Sequence, residues 1–93
     1  MNTIVHHQTS HQFITEVEGK IAHLDYTPSI DGKVLDYHHT FVPLELRGRH
    51  IAQDIVKFAL EYAKANHFKI IPTCSFVERY IEQHPEYQSL VAS

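Results

Sequence analysis

The sequence predicts an α/β domain of the α+β kind, an antiparallel β-meander running into a β-α-β-α unit whose two strands are parallel. Three observations predict it. Alternating, β-branched and histidine-rich segments fill the chain up to residue 42, apolar residues recur at helical spacing from about residue 48 to residue 66, and prolines at 43, 72 and 85 punctuate the remainder of the chain. Phe13 to Val17 reads as a strand closed by Glu18-Gly19. In the next strand Ala22, Leu24 and Tyr26 share one face, and Ile21, His23 and Asp25 the other. An extra strand fits Ile4 to His7. Asp31-Gly32 is a hairpin-turn signal. After it strict alternation places Leu35, Tyr37, His39 and Phe41 on one face, and Val34, Asp36, His38, Thr40 and Val42 on the other.

Pro43 has no N–H for a ladder and ends that strand. Ile51, Ile55, Ala59 and Tyr62/Ala63, widened by Val56 and Leu60, make the buried stripe of a long helix that Asn66 stops. Asp54, Lys57, Glu61 and Lys64 make its wet face. Phe68 to Ile71 reads as a short buried strand. Ser75-Phe76-Val77-Glu78 then has the form of a capping box, opening a helix with Val77, Tyr80, Ile81 and His84 on one stripe and Pro85 at its end. Because a long helix joins two strands, the connection is a right-handed crossover.

Composition narrows the function. Ninety-three residues, 43% of them hydrophobic, suit one small domain over residues 1–93 and exclude disorder. A formal charge of -3 argues against a phosphate-tracking nucleic-acid binder, and no apolar run reaches the roughly 20 residues of a membrane span. The first residues, Met1 to His7, lack the basic-then-apolar order of a signal peptide, and the single Cys74 suits a reducing cytoplasm, so a cytoplasmic location is expected. His6, His7 and His11 match no structural zinc spacing, and no metal site is expected.

In a strand–helix–strand unit, ligands collect beyond the carboxyl ends of the strands, at the helix N-terminus. That corner reads Leu44-Glu45-Leu46-Arg47-Gly48-Arg49-His50-Ile51-Ala52. Unpaired amides, a helix dipole, two arginines and a histidine converge there in an acidic protein, and phosphate suits them. The plainer alternative is a solvated basic helix start. Neither G-x-G-x-x-G nor G-x-x-x-x-G-K-[ST] is present, which removes Rossmann and Walker sites.

Arg47-Gly48-Arg49-His50-Ile51-Ala52, after a strand ending His39-Thr40-Phe41-Val42-Pro43, resembles the pyrophosphate loop of GCN5-related N-acetyltransferases (GNAT). The segment from His39 to Leu90 is similar to the very short members of that superfamily. The resemblance implies a minimal GNAT-like fold, acetyl-CoA as substrate, and acetyl transfer to a primary amine, either a protein lysine or a small amine. It also implies that Phe41, Val42, Arg47, Gly48, Arg49, His50, Ile51, Ala52, Ser75 and Arg79 contact CoA. The alternative is a CoA- or acyl-CoA-binding module without catalysis. His50 departs from the family's glycine; at positive φ its side chain costs about 1–2 kcal/mol, while an imidazolium could pair with pyrophosphate.

Acyl transfer needs a base for the amine proton, a donor for the departing thiolate and hydrogen bonds for the oxyanion. Cys74 is the first candidate, as a nucleophile, as a thiol donor near the CoA sulfur, or as a small buried residue. Tyr80 is the second, in the place where larger relatives carry a thiolate-protonating tyrosine; Tyr87 competes, and core packing is the plainer role. His38 and His39 leave a regular strand on opposite faces, so at most one can reach the cleft; His38 shares its face with Asp36 and Thr40 and is the candidate base. Glu45 is a base or a solvating loop residue. A chain too short for the N-terminal helices of larger relatives leaves the acceptor side open, to be walled by a macromolecular acceptor or by the second subunit of a homodimer.

Overall fold

The computed structural model describes residues 3–92; Met1, Asn2 and Ser93, which enter the leader and domain expectations, lie outside them. The elements are β1 (Val5–His7), β2 (Gln12–Val17), β3 (Lys20–Pro28), β4 (Val34–Phe41), α1 (Ile51–Ala65), β5 (Lys69–Ile71) and α2 (Ser75–Gln83). They form one five-stranded sheet in the order β1-β2-β3-β4-β5. The first four strands are antiparallel neighbours, and β4 pairs with β5 in parallel, as the crossover argument requires. Glu18 and Gly19, both at positive φ, make the two-residue turn between β2 and β3.

One sheet face is dry. Phe13, Ala22, Leu24, Leu35, Tyr37 and Ile70 meet Ile51, Ile55, Val56, Ala59, Leu60 and Ala63 of α1, which packs on β2 to β5. The Tyr37 hydroxyl is buried with its ring and donates to the Ala59 carbonyl at 2.7 Å, so a polar atom in the core is satisfied by the helix above it. Helix α2 lies against α1 through Val77, Tyr80 and Ile81. The opposite face is open, with Ile21 and Ile71 about half exposed.

Helix α1 closes with His67 in the left-handed region, the Phe68 amide reaching back to the Ala63 carbonyl at 2.9 Å. Two 3₁₀ segments, Leu44–Leu46 and Pro85–Leu90, are absent from the periodicity reading, because turns this short carry no repeat. The second brings Tyr87 and Leu90 into the core, and Val91 bridges to Ile70.

Two expectations need correction. First, β4 does not alternate throughout. The register on β3 jumps from Asp25↔His39 to Tyr26↔Tyr37, leaving His38 as the extra residue of a β-bulge. Beyond it the faces exchange: Thr40 lies opposite buried Leu24, while His39 and Phe41 join His23 on the outer face, with ring centroids 6.0 and 5.6 Å from it. His38 also points outward, its Nε2 3.1 Å from the Thr27 hydroxyl, so the two histidines share a face. Second, Ser75 does not cap α2. The Cys74 amide continues the ladder by donating to the Tyr37 carbonyl at 2.9 Å, which makes Cys74 the last extended residue and Ser75 the first helical one.

The sheet's far end is an aromatic cluster. His6 stacks on Phe13 at 4.4 Å, and its Nε2 lies 2.6 Å from the Tyr26 hydroxyl. Burial, then His11 and His7, holds the His6 pKa below its ordinary value. The unfolded chain therefore binds the proton more readily than the folded one, and stability rises with pH through the window below about 6.5. Acidification is expected to weaken the fold there, and His6→Phe should remove part of that slope. Urea midpoints between pH 5 and 7.5 read it; parallel curves for both proteins would show that His6 does not carry it.

Candidate functional site

The two parallel strands pair only at Val34↔Lys69, Leu35↔Ile70 and Asp36↔Ile71, and a cleft opens beyond them. Its walls are the last residues of β4, the loop into α1, and the first turn of α2. One cavity of about 190 Å³ is lined by Val42, Leu46, Arg47, Gly48, His50, Ile51, Ala52, Gln53 and Phe76. A second, about 320 Å³, is lined by Thr40, Phe41, Val42, Arg47, Ala52 and Phe76. Four shared lining residues make them one groove running from the helix N-terminus down the edge of β4.

The loop is shaped by its backbone. Pro43 accepts from the Leu46 amide, and buried Leu46 pins the turn to the core. Arg47 Nε donates to the Val42 carbonyl at 3.2 Å, bracing the loop against the strand. Gly48 (φ 84°) and His50 (φ 59°) are both left-handed, and the two reversals aim the chain into α1. No side chain caps α1, so its first amides keep their donors free of intrahelical partners, beside the cavity that Ile51, Ala52 and Gln53 line.

Of the other predicted residues, Cys74 stands where α2 begins, with Sγ 3.5 Å from Thr40 Oγ1. Ser75 and Arg79 are exposed on α2, and their side chains make no hydrogen bond or ion pair among the described residues. Arg49 turns outward to Glu18 at 2.7 Å, and Lys20 pairs with Glu45 at 3.7 Å. His38 lies on the outer face. Tyr80 is buried in the helical layer, stacked on His84 at 4.0 Å, and lines neither cavity. Burial, then Glu86, Asp54 and Glu61, pushes its phenol up, which keeps it protonated at neutral pH. Among the described residues no group of three or more His, Cys, Asp or Glu could hold a metal ion.

Thr40, Gln53 and Phe76 were not legible as cleft residues. Thr40 reaches Cys74 because the bulge rotates it inward. Phe76 carried a usable signal: an apolar residue off the buried stripe, on the first turn of a helix that starts beside the loop.

His50→Gly tests the loop directly. Removing the left-handed side chain is expected to stabilise the fold by about 0.5–1 kcal/mol. If the loop holds CoA, as the resemblance implies, its CoA affinity should change measurably, because the residue lines the groove. A melt and a titration of the same variant read both effects; unchanged values would make the substitution neutral.

A five-stranded sheet whose last antiparallel strand parts from a parallel neighbour above a looped helix start defines an acetyltransferase-like α+β protein. The model of the family described as GCN5-related N-acetyl-transferase matches residues 12–90, and the chain belongs to that family. A GCN5-like N-acetyltransferase candidate from Staphylococcus aureus, known from its NMR solution structure, superimposes with a TM-score of 0.73 at 27% identity, over 98% of this chain and 88% of its own. Protein NATD1 of Homo sapiens is 34% identical over 58 residues, 62% of this chain and 51% of its own length. The Danio rerio protein of that name is 33% identical, over 62% and 53%. The match thus spans about half the length of these curated relatives. No helix among the described residues is long and apolar enough to cross a membrane.

Proposed function

We propose that the protein is an acetyl-CoA-dependent N-acetyltransferase that moves an acetyl group from CoA to a primary amine, either a protein lysine or a small amine. One observation carries this reading: the groove runs without a break from free helix amides and Arg47, along Phe41 and Val42, towards Thr40, whose hydroxyl meets Cys74. Its two ends differ in chemistry as a CoA thioester does, with a charged diphosphate at one end and an apolar arm leading to sulfur at the other. Arg47, Gly48, His50, Ile51 and Ala52 hold the pyrophosphate through amides and positive charge, since charge-assisted bonds are the strong ones. Phe41, Val42 and Phe76 flank the arm and keep water from it. Bound CoA supplies the activated acetyl group. Thr40 and Cys74 offer a hydroxyl and a thiol beside the arm's far end, where one can donate to a developing oxyanion or departing thiolate. Arg49, paired with Glu18, and Arg79, on an exposed helix face, contribute charge at the rim.

The buried position of Tyr80, outside the groove, favours a second reading, a CoA-binding module without turnover. Melts with acetyl-CoA, CoA and dephospho-CoA, joined to an acetyl-transfer assay over an amine panel, separate the two. Ligand at about 100 times its Kd stabilises a binder by about 2.7 kcal/mol. A rise with turnover is expected. A rise without turnover identifies the module, and no rise removes both readings. Cys74→Ala should keep the CoA shift and lose turnover; full turnover would reduce the thiol to packing.

A further inference from the structure

We infer that the cavity at the C-terminal end of α1 is a second binding site, for a small uncharged aromatic molecule with a hydrogen-bonding edge. The cavity, about 270 Å³, lies between the core face of β3 and β4, the last turn of α1 and the turn joining β1 to β2. It falls just below the roughly 300–1,000 Å³ of pockets that take drug-sized ligands, so it suits a guest of one ring or two fused ones. Rings make up most of its wall. His11 and Tyr26 form one tilted pair with centroids 5.3 Å apart, Tyr62 and Phe68 another at 5.9 Å, and Pro28 and Leu35 complete the apolar lining. A planar aromatic guest meets these rings face to edge, which an aliphatic guest of the same area does not.

Three polar groups on the wall are uncommitted. The side chains of Gln8, His11 and Tyr62 make no hydrogen bond among the described residues, and Gln8 and His11 are exposed, so a guest can reach them. Amide, imidazole and hydroxyl can each donate or accept. The Tyr26 hydroxyl, by contrast, is already engaged with His6 Nε2 at 2.6 Å. No lysine, arginine, aspartate or glutamate lines the cavity. A charged guest would therefore lose water without gaining a counter-charge, whereas a neutral ring with one N–H or O–H finds both its stack and its partner.

The wall stands without the guest. The His11 amide closes the β1–β2 turn on the Gln8 carbonyl at 3.2 Å, and the Tyr26 amide pins that turn to β3 by donating to the His11 carbonyl at 3.0 Å. Across the cavity Tyr62 is held edge-on to His6 at 4.4 Å, and the Phe68 amide is tied to the Ala63 carbonyl at 2.9 Å. Little ordering is left to oppose binding. Ala52, in the groove described above, and Tyr62 lie on the same helix, roughly 15 Å apart along its axis. The two sites are separate, and this one does not rest on the acetyl-transfer reading.

Indole is the probe, with cyclohexanol as its non-aromatic counterpart, monitored by amide chemical shifts of the full chain. Indole is expected to shift residues 8, 11, 26, 62 and 68 saturably, with a Kd on the order of 1 mM or tighter, and cyclohexanol to bind at least about tenfold more weakly. Saturating CoA should leave the indole affinity within twofold. His11→Gly removes one ring from the wall and relieves the left-handed φ of 56°, so the fold is spared while indole affinity falls at least threefold. Shifts centred elsewhere, equal affinity for cyclohexanol, displacement of indole by CoA, or undiminished affinity in His11→Gly would each overturn the inference. The wild-type map needs no variant to fold.

Discussion

Phe13→Ala is expected to cost about 3–5 kcal/mol, the largest stability effect of any substitution considered. Phe13 is fully buried, and its ring meets His6 at 4.4 Å, Tyr26 at 5.4 Å, Tyr62 at 5.5 Å, and Tyr37 and Phe58 at 6.0 Å. Truncation removes the apolar area and leaves a cavity among rings too large to collapse into it. A domain of this length has only about 5–14 kcal/mol of total stability at 0.05–0.15 kcal/mol per residue. The urea midpoint should therefore fall by about a fifth or more with an unchanged slope. A loss below about 1 kcal/mol would mean that β1 and α1 close the gap, contrary to the dense packing of the cluster.

Arg47→Ala is expected to weaken CoA binding by about 10–100-fold while leaving the ligand-free melting temperature nearly unchanged. The factor comes from one charge-assisted interaction of about 1.5–3 kcal/mol at 1.4 kcal/mol per decade. Stability is spared because the residue is exposed and its hydrogen bond to Val42 lies at the surface. Arg47→Lys should recover only part of the loss, since an ammonium lacks the planar fork that grips phosphate oxygens. Arg49→Ala is the control. With its guanidinium held by Glu18, the expected change in affinity is less than threefold. Equal losses in the two variants would mean that the loop acts as a diffuse positive field and that Arg47 has no special place in the groove.

How far the sequence reaches can be traced along β4. Up to Tyr37 alternation reports burial faithfully, with Leu35 and Tyr37 both in the core. At His38 it fails, because a bulge depends on how β3 pairs with β4, and the pairing is not written in either strand alone. The same limit explains α2: Ser75-Phe76-Val77-Glu78 has the spacing of a capping box, but the Cys74 amide is drawn into the sheet by Tyr37, and the helix starts one residue too early for Ser75 to cap it. The loop was legible, since a lone glycine, basic residues and the start of an apolar stripe all lie within six consecutive positions. Which of its cations enters the groove was not: Arg47 and Arg49 look alike until Glu18, 31 residues away, claims one of them.

By itself the chain determined the order of its elements, the dry face of α1, the parallel crossover and the anion-suited corner at residues 47–52. These arise from periods of two and 3.6 residues and from turn chemistry, which act between near neighbours. Only the tertiary structure decided that Thr40 meets Cys74, that His38 and His39 share the outer face, and that Tyr80 is packed away from the groove. Each depends on register between strands or on contacts across the fold, where one residue of slip exchanges the inside for the outside.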